Sequence, residues 1–221
     1  AAMLLDAKTS PGLRTALETP QRIDELFVER VAQPVSGRLN VMAGEEALNE
    51  QPNFAAGAAE RLVGALRRRY NLIVADVPFV PMPLYRDLLE TAKQRVLVLN
   101  PNLAGVRDTL RLLALPNGPM QVRRAVVVLN RLGMPGGLTR KQVEDGLKMP
   151  ADLVIPDLPR RLGNAATMGE PATAMRGGFQ SAIAQLAREV GAVRTLDLPD
   201  EQAAGGTENR SRRRSLFGRR G

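Results

Sequence analysis

Residues 122–129 read VRRAVVVL and are followed at once by Asn130-Arg131-Leu132-Gly133. The apolar part is a near-continuous Val/Leu run rather than an alternation of apolar and polar residues. A strand buried on both faces reads this way, as in a parallel sheet covered by helices. Leu72–Val77 (LIVADV) and Arg95–Leu99 (RVLVL) share the pattern, and Leu39–Ala43 (LNVMA) and Asp152–Ile155 (DLVI) are further strand candidates. Between these runs lie helical stripes. Phe54, Ala58, Leu62, Leu66 and Tyr70 recur every four positions, while Arg61 and Arg67–Arg69 fall mostly elsewhere. Such an amphipathic helix packs one face on a sheet. Val106, Leu110 and Leu113 give a second stripe, and Phe179, Ile183, Leu186, Val190 and Val193 a third. Thr139–Leu147 and Pro20–Ala32 are shorter candidates. Strands alternating with helices predict an α/β domain, a mostly parallel sheet with helices on both faces.

The chain has 221 residues, with 31 Lys plus Arg, 23 Asp plus Glu, no Cys and no His. The length suits an α/β domain with a sizeable core. The absence of Cys excludes disulfides, iron–sulfur clusters and a thiol nucleophile. The absence of His excludes a Ser-His-Asp triad and the common zinc sites. What remains is chemistry by carboxylates, Lys, Arg, hydroxyls, backbone amides and an oxygen-bound cation such as Mg²⁺. The formal charge of +8 is uneven: residues 209–221 (NRSRRRSLFGRRG) hold six Arg and no acid, so positions 1–208 carry only +2. A nucleic-acid surface on the folded body is therefore not expected. No run of about 18 apolar residues occurs, so no transmembrane helix is predicted. The opening AAMLLDAKTS lacks a basic region and is not a signal peptide; it reads as a chain entering in the middle of an element.

Ligands of open α/β sheets bind beyond the carboxyl ends of the strands. Four strand candidates end in polar or turn-forming residues: Asp76-Val77-Pro78, Asn100-Pro101-Asn102, Asn130-Arg131 and Pro156-Asp157-Leu158. An apolar strand closing on Asp has the form of a Walker B element, whose carboxylate holds a Mg²⁺ water beside nucleotide phosphates. The plain alternative is a turn or cap residue. An Asn after a strand offers a donor and an acceptor to a purine edge, or is a loop residue. No GxxxxGK[ST] phosphate loop and no GxGxxG occur. The four lysines are Lys8, Lys93, Lys141 and Lys148, none of which follows Gly or precedes Ser or Thr.

The order of segments is informative: GLRTALETPQRIDELFVER, LNVMAGEE, LRRRYNLIVADVP, RVLVLNPNLAGVRDTLRLL, VVVLNRLG and VIPDLPRRLGNAATMGEPATA. Together they resemble the ATPase domain of CpaE/TadZ-type pilus assembly proteins, in the MinD/ParA group of deviant-Walker ATPases. The resemblance spans residues 1–193; residues 194–221 read as a disordered linker and an Arg-rich tail. It implies that Asp76 is the Walker B carboxylate, both catalytic and metal-facing. It implies that Asn130 and Arg131 stand at the adenine, and that Pro156, Asp157 and Leu158 close over the base. ATP and Mg²⁺ are the cofactors implied for the intact domain. A homodimer, the pilus assembly machinery and a cytoplasmic, polar location are implied as well. The family's first strand, with its Walker A loop and Lys, and a second strand ending in an Asp-x-Asp element have no counterpart in these residues. The expectation is a fragment of a longer protein, itself unable to hydrolyse ATP. The alternative is a paralogue acting as a nucleotide-independent scaffold or localisation factor. A ParA-like DNA partitioning role is the third reading, opposed by the +2 body. Arg210–Arg220, with Leu216 and Phe217 among them, resembles the membrane-targeting end of MinD-like proteins and implies weak contact with an anionic leaflet.

Overall fold

The runs at 95–99, 122–129 and 152–155 form one parallel sheet in the computed structural model, which describes residues 2–45, 49 and 51–195. Of the linker and basic tail expected at 194–221, residues 194 and 195 instead end the last helix, and the rest lie outside the described residues. An antiparallel hairpin comes first in the chain, β1 (Gln33–Ser36) with β2 (Leu39–Val41), Gln33 opposite Val41. The parallel sheet comprises β3 (Val96–Leu99), β4 (Val126–Leu132) and β5 (Leu153–Pro156), in that spatial order. Leu99 lies opposite Leu129, and Val128 opposite Leu153. The α-helices are α1 (Gly12–Glu18), α2 (Glu25–Val31), α3 (Ala58–Arg69), α4 (Pro83–Thr91), α5 (Leu103–Leu113), α6 (Arg140–Leu147), α7 (Pro159–Met168) and α8 (Gly178–Thr195).

Local chemistry sets several helix starts. Asp24 and Asn102 cap α2 and α5 by accepting the backbone N–H of Phe27 and Gly105. Thr139 and Gln142 form a reciprocal capping box at α6. Proline opens α4 and α7, where its missing N–H costs nothing.

Strand alternation divides the core. Leu99, Val127 and Leu129 pack against Val106 of α5 and Val143 and Leu147 of α6. Val128, Leu153 and Ile155 turn to the opposite face and meet Phe179, Ala182, Ile183 and Leu186 of α8. Helices thus cover both faces of β4, as its continuous Val/Leu run predicts, whereas in β3 only the side of Leu97 and Leu99 is buried and Val98 is 61% exposed. Each fully buried Val or Leu in these layers contributes about 1.5–3 kcal/mol. A third core joins α1 to α4 through Ala16, Val28, Leu62, Ala65 and Leu84.

Two expected strands of the parallel sheet differ. Leu39–Val41 belongs to the antiparallel hairpin instead. Leu72–Val77 forms no ladder with any described strand, and Leu72 and Val74 are 60% and 83% exposed. A strand is a property of a pair. The composition of LIVADV suits a buried strand, but among the described residues β3 pairs only with β4, and nothing pairs with 72–77.

Arg95, just before β3, is buried, and among the described residues no carboxylate hydrogen-bonds to it. Its guanidinium donates to the carbonyls of Leu89, Leu115 and Pro116 at the C-terminal ends of α4 and α5. Burial lowers its pKa, but Arg stays protonated and favours those negative helix ends. Arg95→Met leaves these carbonyls without their donor, and a loss of about 2–4 kcal/mol in urea unfolding is expected.

Asp152 ties β4 to the start of β5. It accepts two bonds from Arg124 at 2.9 and 2.5 Å and the N–H of Val127 at 2.8 Å. Partial burial pushes its carboxyl up, yet these bonds and the Arg124 charge hold it below the ordinary 3.8. Glu144, bonded to Arg140 and the N–H of Ala151, is likewise held below 4.5. Carboxyls lowered in the folded state stabilise it fully above their ordinary values and lose that contribution as pH falls through the lowered ones. Urea midpoints should be level above about pH 5 and fall below about pH 4, and Asp152→Asn should be less stable at neutral pH with a shallower acid fall.

Candidate functional site

Because Leu99 faces Leu129 across the parallel ladder, Asn100 and Asn130 are the next residues on adjacent strands. Alternation along β4 carries the Asn130 side chain to the face of Val128, opposite Leu129. Each asparagine is half-buried, and neither side chain makes a hydrogen bond among the described residues. Two amides, each with a free donor and acceptor, therefore stand side by side at the C-terminal rim.

The loop after β3 is tightly held. The Asn100 carbonyl accepts from the N–H of Asn102 at 2.8 Å, and the Pro101 carbonyl from that of Leu138 at 2.7 Å. Gly105 in the first turn of α5 lets the Asn100 carbonyl approach: a Cβ there would lie 2.5 Å from that oxygen.

The C-terminal end of β4 departs from regular geometry. The β4–β5 register shifts between Leu129 and Leu132, and Arg131 has φ +57°. The left-handed region costs a non-glycine residue about 1–2 kcal/mol, so its surroundings must hold it there. The partner is Asp157, whose Oδ1 accepts from Arg131 Nε at 3.0 Å. Asp157 also donates its backbone N–H to the Leu132 carbonyl at 2.9 Å. Its side chain is 10% exposed, against 45% for Arg131. Pro156 ends the ladder opposite Leu132, and half-buried Leu158 leads into α7.

Of the residues singled out in the sequence, the structure brings Asn130, Arg131, Pro156, Asp157 and Leu158 to the ends of two neighbouring strands. Asp76 is not joined to them by any hydrogen bond or ion pair. It sits exposed in the unladdered stretch 71–78, which continues to Phe79, whose ring lies 5.1 Å from the Arg111 guanidinium of α5. Among the described residues no three acidic side chains gather to hold a metal ion. Asn100 stands out from the sequence only as a strand-terminal turn residue; its place beside Asn130 comes from the register.

Two concavities lie elsewhere. A groove of about 320 Å³ at the N-terminal ends of β4 and β5 is lined by Gln94, Arg123, Arg124, Asp152 and Glu189. Another, of about 340 Å³, lies on α1 and α2 beside Arg22, Asp24 and Arg30. The rim offers hydrogen-bonding groups and a compensated ion pair. Its two free amides suit the edge of a planar heterocycle, which presents donors and acceptors side by side.

Gly105→Ala should displace the Asn100 loop. A loss of about 1–3 kcal/mol is expected in urea unfolding, with amide shifts concentrated at residues 99–102 in the NMR spectrum.

No protein-family model matches the chain, and no curated protein matches it. Solved structures do. The septum site-determining protein MinD of Pyrococcus horikoshii, complexed with Mg-ADP, is 17% identical, with a TM-score of 0.69 over 88% of this chain and 79% of that one. A ParA family ATPase of Chlorobium tepidum is 14% identical, with a TM-score of 0.62 over 86% and 74%. MinD in the MinC:MinD complex of Aquifex aeolicus is 18% identical, with a TM-score of 0.61 over 90% and 79%. The likeness is one of fold: the α/β arrangement is the one seen in these MinD and ParA family structures.

Proposed function

We propose that the chain is the ATPase domain of a CpaE/TadZ-type protein, serving the assembly of a Tad/Flp (type IVb) pilus and its placement at the cell pole. The observation that carries the nucleotide side is the unclaimed amide of Asn130, half-buried at the C-terminal rim of a parallel sheet. Such rims are where open α/β sheets receive ligands. The MinD/ParA-type fold supports the reading, and so does the ordered set of segments from Gly12 to Ala174.

In this reading the Asn130 amide meets the adenine edge, and Pro156 and Leu158 supply apolar cover. The residues present fit the base half of ATP, since a free amide and adjoining apolar side chains are what a purine needs. They do not fit the phosphate half. No Gly-rich loop with a Lys occurs in the 221 residues, and Lys141 is bound to Asp145 at 2.6 Å. Asp76 supplies one exposed carboxylate for a Mg²⁺ water, which without further oxygen ligands is a weak site. No hydrolytic step is assigned to this chain alone. ATP and Mg²⁺ belong to the intact domain. One neighbouring MinD was solved with MinC; here the partners proposed are a second copy and the pilus assembly proteins. Cytoplasmic residence and weak membrane contact through Arg210–Arg220 complete the reading.

A second reading is a scaffold that localises the machinery without nucleotide, for which the Asp76 carboxylate, exposed and unbonded among the described residues, needs no ligand. Asp76→Ala, introduced in the native gene, separates the two. The ATPase reading expects loss of surface pili and of polar foci at unchanged protein abundance. Retention of both contradicts it and supports the scaffold. The purified chain should show no ATP turnover above buffer. Retained duplex-DNA binding after deletion of residues 209–221 would favour a partitioning role instead.

A further inference from the structure

The resemblance places Arg131 and Asp157 against the base, but the geometry gives them to each other. Arg131 Nε donates to Asp157 Oδ1 at 3.0 Å. The Asp157 carboxylate is nine-tenths buried and has no other cation bonded to it among the described residues. Drawing it toward a ligand would leave a nearly buried charge without its partner, a costly exchange for one hydrogen bond. The backbone reinforces the link, since Asp157 N–H donates to the Leu132 carbonyl at 2.9 Å. The guanidinium and the carboxylate thus close a short bracket around the register shift between Leu129 and Leu132. Asn130 lies within that bracket, next to a residue held at φ +57°.

We propose that Arg131 and Asp157 form a latch that locks the irregular C-terminal end of β4 to the loop after β5 and thereby sets the aim of the Asn130 amide, with neither charged group meeting the ligand. Both are positioning residues, and the base is read by the neutral amide of Asn130. The functional part of this rests on the nucleotide-binding reading; the latch itself does not. An ordinary surface ion pair holds long side chains weakly. This pair differs because one member is buried and a backbone bond runs alongside it.

The test uses the full 221-residue chain without ligand, so it stands or falls apart from any nucleotide. Arg131→Asn keeps a residue that tolerates the left-handed conformation but cannot reach the carboxylate. Asp157→Asn keeps the shape and removes the charge. Amide hydrogen exchange at residues 130–133 and 156–158 should rise about tenfold or more in either variant, in both loops, with the β3–β4 ladder unchanged. The double variant should exchange no faster than the worse single one. The Asn130 side-chain NH₂ resonances should move in both single variants, and Arg131→Lys should restore them in part. A merely structural contribution would lower global stability without moving those resonances. Exchange confined to the mutated loop, additive effects, or an unmoved Asn130 signature would overturn the latch.

Discussion

Parallel pairing in the order β3-β4-β5 is the constraint on which the rest depends. Only parallel strands end on the same side, so the ladder that aligns Leu99 with Leu129 also brings Asn100, Asn130 and the Pro156–Leu158 loop to one rim. The pairing needs cover on both faces, because a sheet of Val and Leu is apolar on each. α5 and α6 supply one cover and α8 the other. At the opposite end, Arg95 and the Arg124–Asp152 pair hold the strand starts in place. The unpaired amides of Asn100 and Asn130 thus stand with the Arg131–Asp157 pair at one end of the strands, and the charges that anchor the strand starts at the other.

Much of this is legible in the residues themselves. The Val/Leu runs identify β3 and β4 as strands, β4 buried on both faces and β3 on one, with Val98 exposed, and the stripe Phe179, Ile183, Leu186 identifies the helix that packs on Val128 and β5. The Asn-Arg and Pro-Asp-Leu turns mark the rim by residue type alone, because each follows directly on an apolar strand. Boundaries move by a few residues: the strand read from Val122 begins at Val126, after the charged pair Arg123-Arg124. α1, α4 and α7 escape pattern reading because they are short or interrupted by small residues, as Gly163 interrupts α7. Their formation owes more to packing, as with Leu84 of α4 in the helical core.

What is not legible is pairing between distant positions. LIVADV has the composition of a central strand, yet Leu72–Val77 stays unladdered because composition cannot supply a neighbour. The same limit hides the Arg131–Asp157 bond, whose members are 26 residues apart. The resemblance implies a place at the ligand for both. The structure adds that the two charges neutralise each other, which leaves the amide of Asn130 as the group free to read a ligand. The Asn100 amide beside it follows from register alone.

The central claim is that this rim reads a planar base through Asn130. The most direct measurement is an NMR titration of the isotope-labelled chain with adenosine, which needs no phosphate-binding loop. The account predicts intermolecular contacts from the adenine protons to the Asn130 side-chain NH₂, with shifts confined to residues 99–102, 130–133 and 156–158. Shifts centred instead on Gln94, Arg124 and Asp152, or none at millimolar adenosine, would contradict it.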